Sequence, residues 1–487
     1  MASVRCVDAG MGYSSSNGFT VPGTGATNIP VQANYIRNLI EGADLVMSHI
    51  LHFYHLAALD YINTDSSMLS GVAPWGNGKD NTSDMVSNPT ADVLVGHYVQ
   101  ALNIRRKAHE FAAHMSGKQP CQPCFTPGGV TNAVITTTLT GNLMTLLGDN
   151  TSLAASNSGT NIRSFIKYVY IPDVKTVAAA FSSQLLYTGT ETDAGSGCAR
   201  YLAYGSFPDS SGVPYLSSGF LDATAANTGS WAVSAFDQSK ITESVKYSKY
   251  DDSCEGLHPS AGSTQPSPDK SGAYSWLKAP RYNGHSAEVG PLARVLVNAW
   301  SAVKGNTGTQ DWLNAVVSFL GSVGLNTNHI PYLRSVLGRH AARAIECDVI
   351  ADKMVNWINA LQTTSATGET YRHREIPRTG SGYGLTEAPR GALGHWITIE
   401  GKKIANYQCV VPTTWNARPR DKNGEVGPIE KALEGITLPD ATESASARVK
   451  VGRIVRSFDP CIACSVHIVY PDKNKVVKFE LPTLPSK

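Results

Sequence analysis

The chain has few cysteines, little net charge and no long apolar run. Nine cysteines in 487 residues are too few for a disulfide scaffold, and the odd number leaves at least one thiol unpaired. Forty-one basic against 39 acidic residues give a net charge of +2, so no overall field points to nucleic acid or an anionic membrane. No apolar run reaches the roughly 18 residues of a membrane span, and MASVRCVDAG lacks the regions of a signal peptide. We therefore expect no address or anchor of the chain's own.

Apolar residues at helical spacing are abundant instead. They make up 42% of the chain, which is enough for a substantial core. The spacing predicts helices over 29–62, 91–115, 132–147, 161–186, 291–303, 310–320 and 328–362. Residues 189–285 are rich in Gly, Ser and Asp and predict irregular excursions with small sheets, and alternation around Gly401 predicts a hairpin. The predicted fold is mainly α, a large helix bundle with small peripheral β elements.

Four of the cysteines form two C-x-x-C pairs, Cys121 with Cys124 and Cys461 with Cys464. Two thiolates at this spacing can chelate one soft or borderline metal ion such as zinc or nickel. One pair alone fits a redox pair, half a zinc site or coincidence, and both pairs together could form a four-cysteine zinc site. The other five are expected to be buried or incidental thiols: Cys6, Cys198, Cys254, Cys347 and Cys409.

The second pair stands in SFDPCIACSVH, residues 457–467, and other motifs precede it in a fixed order. They are SVRCVD, IRNLIEGADLVMSHILHFYHLAALD, KAPRYNGHSAEVGPLAR, EAPRGALGHW and NYQCVVPTTWN. Together these segments resemble the large subunit of [NiFe] hydrogenases, and HFYHLAALD and EVGPLAR resemble its uptake-type branch. The resemblance covers nearly the whole chain and is faint between about 140 and 275. It implies reversible heterolytic cleavage of H2 at a Ni-Fe(CN)2CO centre, with iron–sulfur clusters only in a partner small subunit.

The resemblance also implies roles for individual residues. Cys461 matches a terminal nickel thiolate that can act as a base, and Cys464 a thiolate that bridges nickel and iron. Arg390 matches the guanidinium above the open face of the metals, with Asp459 as its expected partner. An ordinary Arg–Asp pair beside a turn is the alternative for these last two.

Further residues are implied around the diatomic ligands and near the C-terminus. Pro389 and Pro412 match apolar walls of the pocket, and Thr413 matches a hydroxyl that donates to a cyanide. His467 matches a ligand of a magnesium (or iron) ion, and the carbonyl of Cys409 matches another.

Histidines and one serine of the HFYH segment are less certain. His49, His52 and His55 lie on an apolar helical face, where a satisfied core histidine is the common case, although the resemblance allows them to orient the site. Ser48 stands where the family usually has an aspartate. With serine there, we expect Asp459 alone to balance the charge of Arg390.

The resemblance departs at both ends of the chain. Relatives carry RxCGxC upstream of SVRCVD, so truncation or a separate polypeptide supplying that C-x-x-C is expected. The domain division is then 1–467 for the large-subunit domain and 468–487 for a propeptide that a maturation endopeptidase removes after nickel chaperones act. A permanent C-terminal strand is the alternative, because KVVKFEL alternates. We expect a periplasmic or membrane-associated location through the partner, with a cytoplasmic one as the alternative. A non-catalytic zinc protein and a nickel-free structural relative are the competing functions.

Overall fold

Helices account for most of the regular structure in the computed structural model. The structure describes residues 1–13, 28–63, 85–87, 89–131, 135–155, 159–185, 195–225, 227–364, 368–436 and 445–460, together with strands at 467–470 and 475–478. The helices are α1 (Ala2–Gly10), α2 (Val31–Leu51), α3 (Thr90–Ser116), α4 (Thr137–Leu147), α5 (Asn150–Ala155), α6 (Ile162–Phe165), α7 (Ile171–Leu185), α8 (Pro291–Val303), α9 (Gln310–Gly321), α10 (Val336–Thr364), α11 (Pro412–Asn416), α12 (Pro428–Leu433) and α13 (Ala445–Ser457). Among these described helices, none is long and apolar enough to cross a membrane.

The centre of the bundle is the pair α2 and α10, which also contact α3, α7 and α8. Pro30 precedes α2, where its fixed φ suits a helix start. Gly42 lets the two helices approach closely, because a Cβ at this position would lie 3.0 Å from the sulfur of Met354. The predicted helices 91–115 and 291–303 are confirmed, since α3 and α8 cover them.

Two helices of the bundle contain a π-helical turn. The predicted helix 29–62 is confirmed, but after α2 it continues as a π turn over His52–Ala57 and a 3₁₀ turn over Ala58–Asp60. A second π turn, Ile166–Tyr170, joins α6 to α7. Aromatic rings connect the two turns, with the ring centroid of Phe53 5.3 Å from that of Tyr170. The wider turns therefore pack against each other in the core.

Antiparallel sheets are small, as predicted. The largest has the order β10-β11-β12 and is built from β10 (Thr379–Ala388), β11 (Gly391–Glu400) and β12 (Lys403–Val410), with the predicted hairpin around Gly401. Gly380, Gly382 and Gly384 alternate along β10 and face α1. A Cβ at Gly384 would lie 2.1 Å from the backbone nitrogen of Cys6. The glycine face is therefore what allows α1 to lie directly on the sheet.

The remaining strands are short. They are β1 (Phe125–Thr126), β2 (Gly129–Val130), β3 (Arg200–Ala203), β4 (Ser206–Pro208), β5 (Pro214–Leu216), β6 (Gly219–Asp222), β7 (Ala232–Ser234), β8 (Ile241–Ser244), β9 (Ala279–Tyr282), β13 (His467–Tyr470) and β14 (Lys475–Lys478). Strands β3 to β9 confirm the prediction of small sheets with irregular connections between residues 189 and 285. Strands β13 and β14 pair as a hairpin, with His467 opposite Lys478.

Candidate functional site

The tight turn between β10 and β11 carries Arg390 and rests on the start of α8. Gly391 has φ of 136°, and a Cβ there would lie 2.7 Å from the backbone nitrogen of Gly290. Gly290 is constrained in return, because its φ is 117° and its Cβ would lie 2.9 Å from the carbonyl oxygen of Arg390. Glycine is required on both sides of this contact. The motifs EVGPLAR and EAPRGALGHW therefore meet backbone to backbone.

Asp459 lies opposite Arg390, just after α13. Its φ of 54° is in the left-handed region, and its amide donates to the carbonyl of Arg456 at 2.9 Å. The Nε atom of Arg390 is 3.2 Å from Oδ1 of Asp459, and their side chains are 37% and 1% exposed. The distance is that of an ion pair, but the atoms are not aligned for a hydrogen bond. Within the described residues, neither oxygen of Asp459 nor Nε of Arg390 has a hydrogen-bond partner. The sequence prediction that the two residues pair is consistent with this geometry.

A second guanidinium, Arg343 of α10, is buried in the same region. Its Nη1 donates to the carbonyl of Arg339 at 3.2 Å, and its Nε has no partner among the described residues. Burial lowers the pKa of Arg343, and the charge of Asp459 opposes that effect. Asp459 therefore has two cationic neighbours and unused hydrogen-bonding capacity, as expected of a site that receives a further polar group.

A set of buried ionic groups lies beneath the turn that carries Arg390, on its α8 side. Arg294 of α8 forms a bidentate pair with Glu346, with both N···O distances 2.6 Å, and its Nη1 lies 2.9 Å from Oε2 of Glu387. His49 contacts the same Glu346 through Nε2 at 2.7 Å. Burial alone would raise the pKa of Glu346, but Arg294 and His49 lower it below its ordinary value. These four residues form one continuous buried network.

The three histidines of the HFYH segment have different surroundings. His49 belongs to the ionic network, and Nε2 of His52 lies 2.6 Å from the carbonyl oxygen of Arg456. The ring of His55 packs on Tyr98 at 4.4 Å between centroids. Through the Arg456 carbonyl, His52 supports the backbone that turns into Asp459, whereas His55 contributes packing.

The segment after β12 approaches the same place. Pro412 is buried at the start of α11, and Thr413 is half-buried beside it. The side-chain amide of Asn416 accepts from the amide of Val289 at 3.0 Å and donates to its carbonyl at 2.9 Å. Because Val289 precedes Gly290, the fold brings α11 and the turn carrying Arg390 to one backbone segment.

Comparison with known proteins identifies the family of the chain. The family described as "Nickel-dependent hydrogenase" matches residues 19–71 and 70–467. The chain belongs to this family. It is 33% identical to the hydrogenase-2 large chain of Escherichia coli K12 over 93% of this chain and 85% of that one. It is 35% identical to the periplasmic [NiFeSe] hydrogenase large subunit of Desulfomicrobium baculatum, over 90% and 79%.

Solved structures give the same result for the fold. The Ni-Fe-Se hydrogenase of D. vulgaris Hildenborough in the reduced state superposes with a TM-score of 0.75 at 32% identity, covering 95% of this chain and 85% of that one. The predicted mainly α fold with small β elements is therefore confirmed. This chain is a hydrogenase large subunit and an enzyme, which also disfavours the non-catalytic zinc alternative.

The cysteines predicted to bind nickel, Cys461 and Cys464, lie outside the described residues of this hydrogenase subunit. For His467 the structure describes the backbone, as the first residue of β13. Cys409 lies in β12 with an exposed side chain. The described parts of the chain contain no cluster of three or more potential metal ligands. The metal-ligand assignments therefore stay predictions.

The other C-x-x-C pair lies in the loop before β1. Cys121 is exposed and Cys124 is buried, and burial raises the pKa of the Cys124 thiol to about 11. Of the five scattered cysteines, Cys6, Cys254 and Cys347 are buried as predicted, whereas Cys198 is half-buried. Cys409 is exposed, so of the two predicted alternatives, a buried or an incidental thiol, only the second is left for it.

The sequence reasoning missed one carboxylate near Arg390. Asp44 lies one helical turn before the buried Ser48 on α2, so both positions share a face. Burial and the charge of Glu41 raise the pKa of Asp44, while the charges of the N-terminus and of Arg390 oppose them. Among these effects that of Arg390 is the weakest, and a raised pKa favours the uncharged carboxyl, so the expectation that Asp459 alone balances Arg390 stays a prediction. The i to i+4 spacing of Asp44 and Ser48 was the signal that could have revealed this carboxylate.

Proposed function

We propose that this subunit cleaves H2 reversibly and heterolytically at a nickel–iron centre that carries carbonyl and cyanide ligands. The observation that carries the proposal is the buried Asp459, whose two oxygens accept no hydrogen bond within the described residues, beside Arg390 and two residues before Cys461. A buried carboxylate without hydrogen bonds is costly unless a further group completes the site. The Nε atoms of Arg390 and Arg343, which donate no hydrogen bond within the described part of the chain, add donors suited to an anionic ligand such as cyanide.

The residues fit such a centre by their chemistry. Cys461 and Cys464 would hold it through soft thiolates, the donors that nickel and iron accept at this spacing. When bound, the centre supplies the Lewis acidity that H2 requires, because H2 has no charge or dipole to bind. The sulfur of Cys461 is the base that we assign to the released proton.

The surrounding side chains orient and shield the site. Arg390 keeps a fixed positive charge where negative charge develops, and Asp459 holds that guanidinium in place. Pro389 and Pro412 would present apolar walls to the diatomic ligands, and the hydroxyl of Thr413 would donate to a cyanide nitrogen. The shared anchoring of α11 and the Arg390 turn at Val289 and Gly290 supports this grouping.

Partners complete the enzyme. The electrons would pass to an iron–sulfur small subunit, in keeping with relatives named as large chains and large subunits. A full set of four nickel thiolates would need a second C-x-x-C, which we assign to RxCGxC sequence outside residues 1–487 or on a separate polypeptide. By analogy with the periplasmic Desulfomicrobium relative, we place the enzyme in the periplasm or at the membrane through its partner.

Maturation would end the chain at His467. The family match runs to this residue, which supports the division into 1–467 and a removable tail of 468–487. The imidazole of His467 and the carbonyl of Cys409 would then bind magnesium or iron. Intact-mass measurement of active, purified enzyme is expected to show a large subunit ending at His467. Active enzyme that retains Ile468 to Lys487 would instead make the β13–β14 hairpin a permanent element.

Metal analysis combined with infrared spectroscopy tests the proposed centre. The subunit purified with its native partners is expected to contain nickel, to contain iron in excess of nickel because the partner's iron–sulfur clusters add to it, and to show intrinsic carbonyl and cyanide bands. Zinc without such bands would support the zinc alternative through Cys121, Cys124, Cys461 and Cys464. A preparation without nickel, zinc or carbonyl and cyanide bands, and without hydrogenase activity, would support the nickel-free structural relative.

A further inference from the structure

Arg294 is the centre of the contacts beneath the Arg390 turn. Its guanidinium donates to two consecutive carbonyls that lead into the turn, that of Ala388 at 2.9 Å through Nη1 and that of Pro389 at 3.0 Å through Nη2. Its own backbone amide donates to the carbonyl of Gly290 at 2.9 Å. Gly290 is the residue on which Arg390 and Gly391 rest. Arg294 therefore contacts both the turn that carries Arg390 and the Gly290 backbone on which this turn rests.

The guanidinium itself has little freedom. Glu346 binds it in the bidentate mode and Glu387 binds the remaining nitrogen, and all three side chains are 0% exposed. Nε2 of His49 fixes Glu346 in turn, and the amide of Tyr204 donates to Oε1 of Glu387 at 2.6 Å. A planar guanidinium with five donors satisfies two carboxylates and two carbonyls at once, which an ammonium group cannot do. The network thus links α2, α8, α10 and β10 at one point.

We propose that Arg294 is a positioning residue for Arg390, which it holds at the catalytic site by fixing the carbonyls of Ala388 and Pro389. The catalytic part of this inference rests on the proposed function, whereas the fixing of the turn does not. Arg294 does not touch substrate or metals in this account. It sets where the guanidinium of Arg390 stands relative to Asp459, and displacements of about 1 Å at such a group can cost about 100-fold in rate.

A buried arginine could instead serve stability alone, and the chain offers a matched control for that case. Arg37 is 1% exposed and also joins a carboxylate to two carbonyls. Its contacts are Asp8, Thr126 and Gly129, each at 2.9 Å. It fixes the β1–β2 hairpin and not the Arg390 turn. Arg37→Lys therefore loses the same kind of contacts as Arg294→Lys at a different place.

Hydrogen exchange measured by mass spectrometry tests the positioning directly. In Arg294→Lys, the amides of residues 386–395 are expected to exchange about tenfold faster than in the parent protein, because the carbonyls of Ala388 and Pro389 lose the guanidinium that binds them. In Arg37→Lys, faster exchange is expected in residues 125–131 and not in 386–395. Unchanged exchange over 386–395 in Arg294→Lys, or an equal increase there in Arg37→Lys, would overturn the proposal.

Infrared spectra and turnover of the assembled enzyme then test the consequence at the site. Arg294→Lys is expected to shift or broaden the cyanide bands and to reduce turnover about 100-fold at unchanged nickel content, while Arg37→Lys leaves the bands in place. Parent-like bands and turnover in Arg294→Lys would refute a role at the site. A parent enzyme without such bands would contradict the proposed function, and the exchange measurement would still decide whether Arg294 positions the turn.

A milder variant covers the case in which Arg294→Lys does not fold. Glu346→Gln keeps the shape of the side chain but weakens the bidentate pair that orients Arg294. We expect exchange over 386–395 to rise by a smaller factor than in Arg294→Lys. A folded Glu346→Gln protein with parent-like exchange and parent-like bands would count against the proposal.

Discussion

Helix α10 buries charged side chains, whereas strand β12 exposes apolar ones. Along α10, Arg339, Arg343 and Glu346 follow one face and are 2%, 1% and 0% exposed. In β12, an edge strand, Ile404 is 62% exposed and the thiol of Cys409 is also exposed. Burying a charged side chain is unfavourable unless a partner compensates the lost hydration. The buried charges of α10 therefore mark the part of the fold that is built around the candidate site. Exposed apolar residues of a single strand have no such meaning.

The largest effect is expected from removing the shared carboxylate of α10. Glu346→Ala removes the carboxylate that the buried Arg294 and His49 share, so the free energy of unfolding should fall by about 3–5 kcal/mol. Denaturant titration measures the loss. Glu375→Ala, at a side chain 83% exposed, should change the same quantity by less than about 0.5 kcal/mol. Equal losses in the two variants would show that the buried charges of α10 matter no more for stability than exposed ones.

The next effect concerns catalysis. Arg390→Lys keeps a positive charge but loses the planar group beside Asp459, so turnover of H2 should fall about 100-fold or more while nickel content stays unchanged. Hydrogen oxidation and elemental analysis of the same preparation measure both. Arg420→Lys, at an exposed loop position, is the control and should retain parent activity. Loss of nickel in Arg390→Lys would make Arg390 a structural residue.

A pH dependence is expected from Glu387. Burial raises the pKa of this carboxyl from 4.5 to about 7, although the charge of Arg294 opposes the shift and that of Glu346 adds to it. A carboxyl with a raised folded-state pKa stabilises the protein fully below its unfolded pKa, and this contribution is lost as pH rises through the folded value. The stability advantage of the parent over Glu387→Gln should therefore fall between pH 4.5 and 7 by roughly 2–3 kcal/mol. A difference that is constant over this range would contradict the shift.

The smallest effect is expected on the sheet. Ile404→Ser removes an exposed side chain of β12 and should change the free energy of unfolding by less than about 0.5 kcal/mol. Ile397→Ser in the neighbouring strand β11 alters a side chain that is 4% exposed and should cost about 2–5 kcal/mol. Thermal unfolding of the two variants separates exposed from buried apolar residues. A comparable loss in both would show that β12 is covered in the assembled protein.

Much of the helical architecture was predictable because its signal is local. The spacing that predicted helices over 91–115 and 291–303 lies within each segment, and α3 and α8 confirm it. The hairpin around Gly401 was also visible in the alternation of apolar and polar residues. The π turns were not, since one additional residue per turn leaves the apolar spacing almost unchanged.

The site was predictable only in part. Motif order identified Arg390 and Asp459, which the structure places 3.2 Å apart. The support beneath them joins Arg294 to residues 52 and 93 positions away in the sequence, and no local pattern reports such contacts. Asp44 was missed because its importance depends on how α2 faces the turn between β10 and β11.

The two π turns have a consequence for how the chain can change in length. Each holds one residue more than an α-helical turn of the same rise, and their rings interlock through Phe53, Tyr54, Phe165 and Tyr170. Deleting one residue within His52–Ala57 would restore α-helical pitch and leave the two flanks of the helix close to their present orientation, because the π turn already accommodates that additional residue. The same deletion in a regular turn of α2 would rotate one flank by about 100° against the other. Single-residue deletions should therefore be tolerated better within the two π turns than in the α-helical turns beside them.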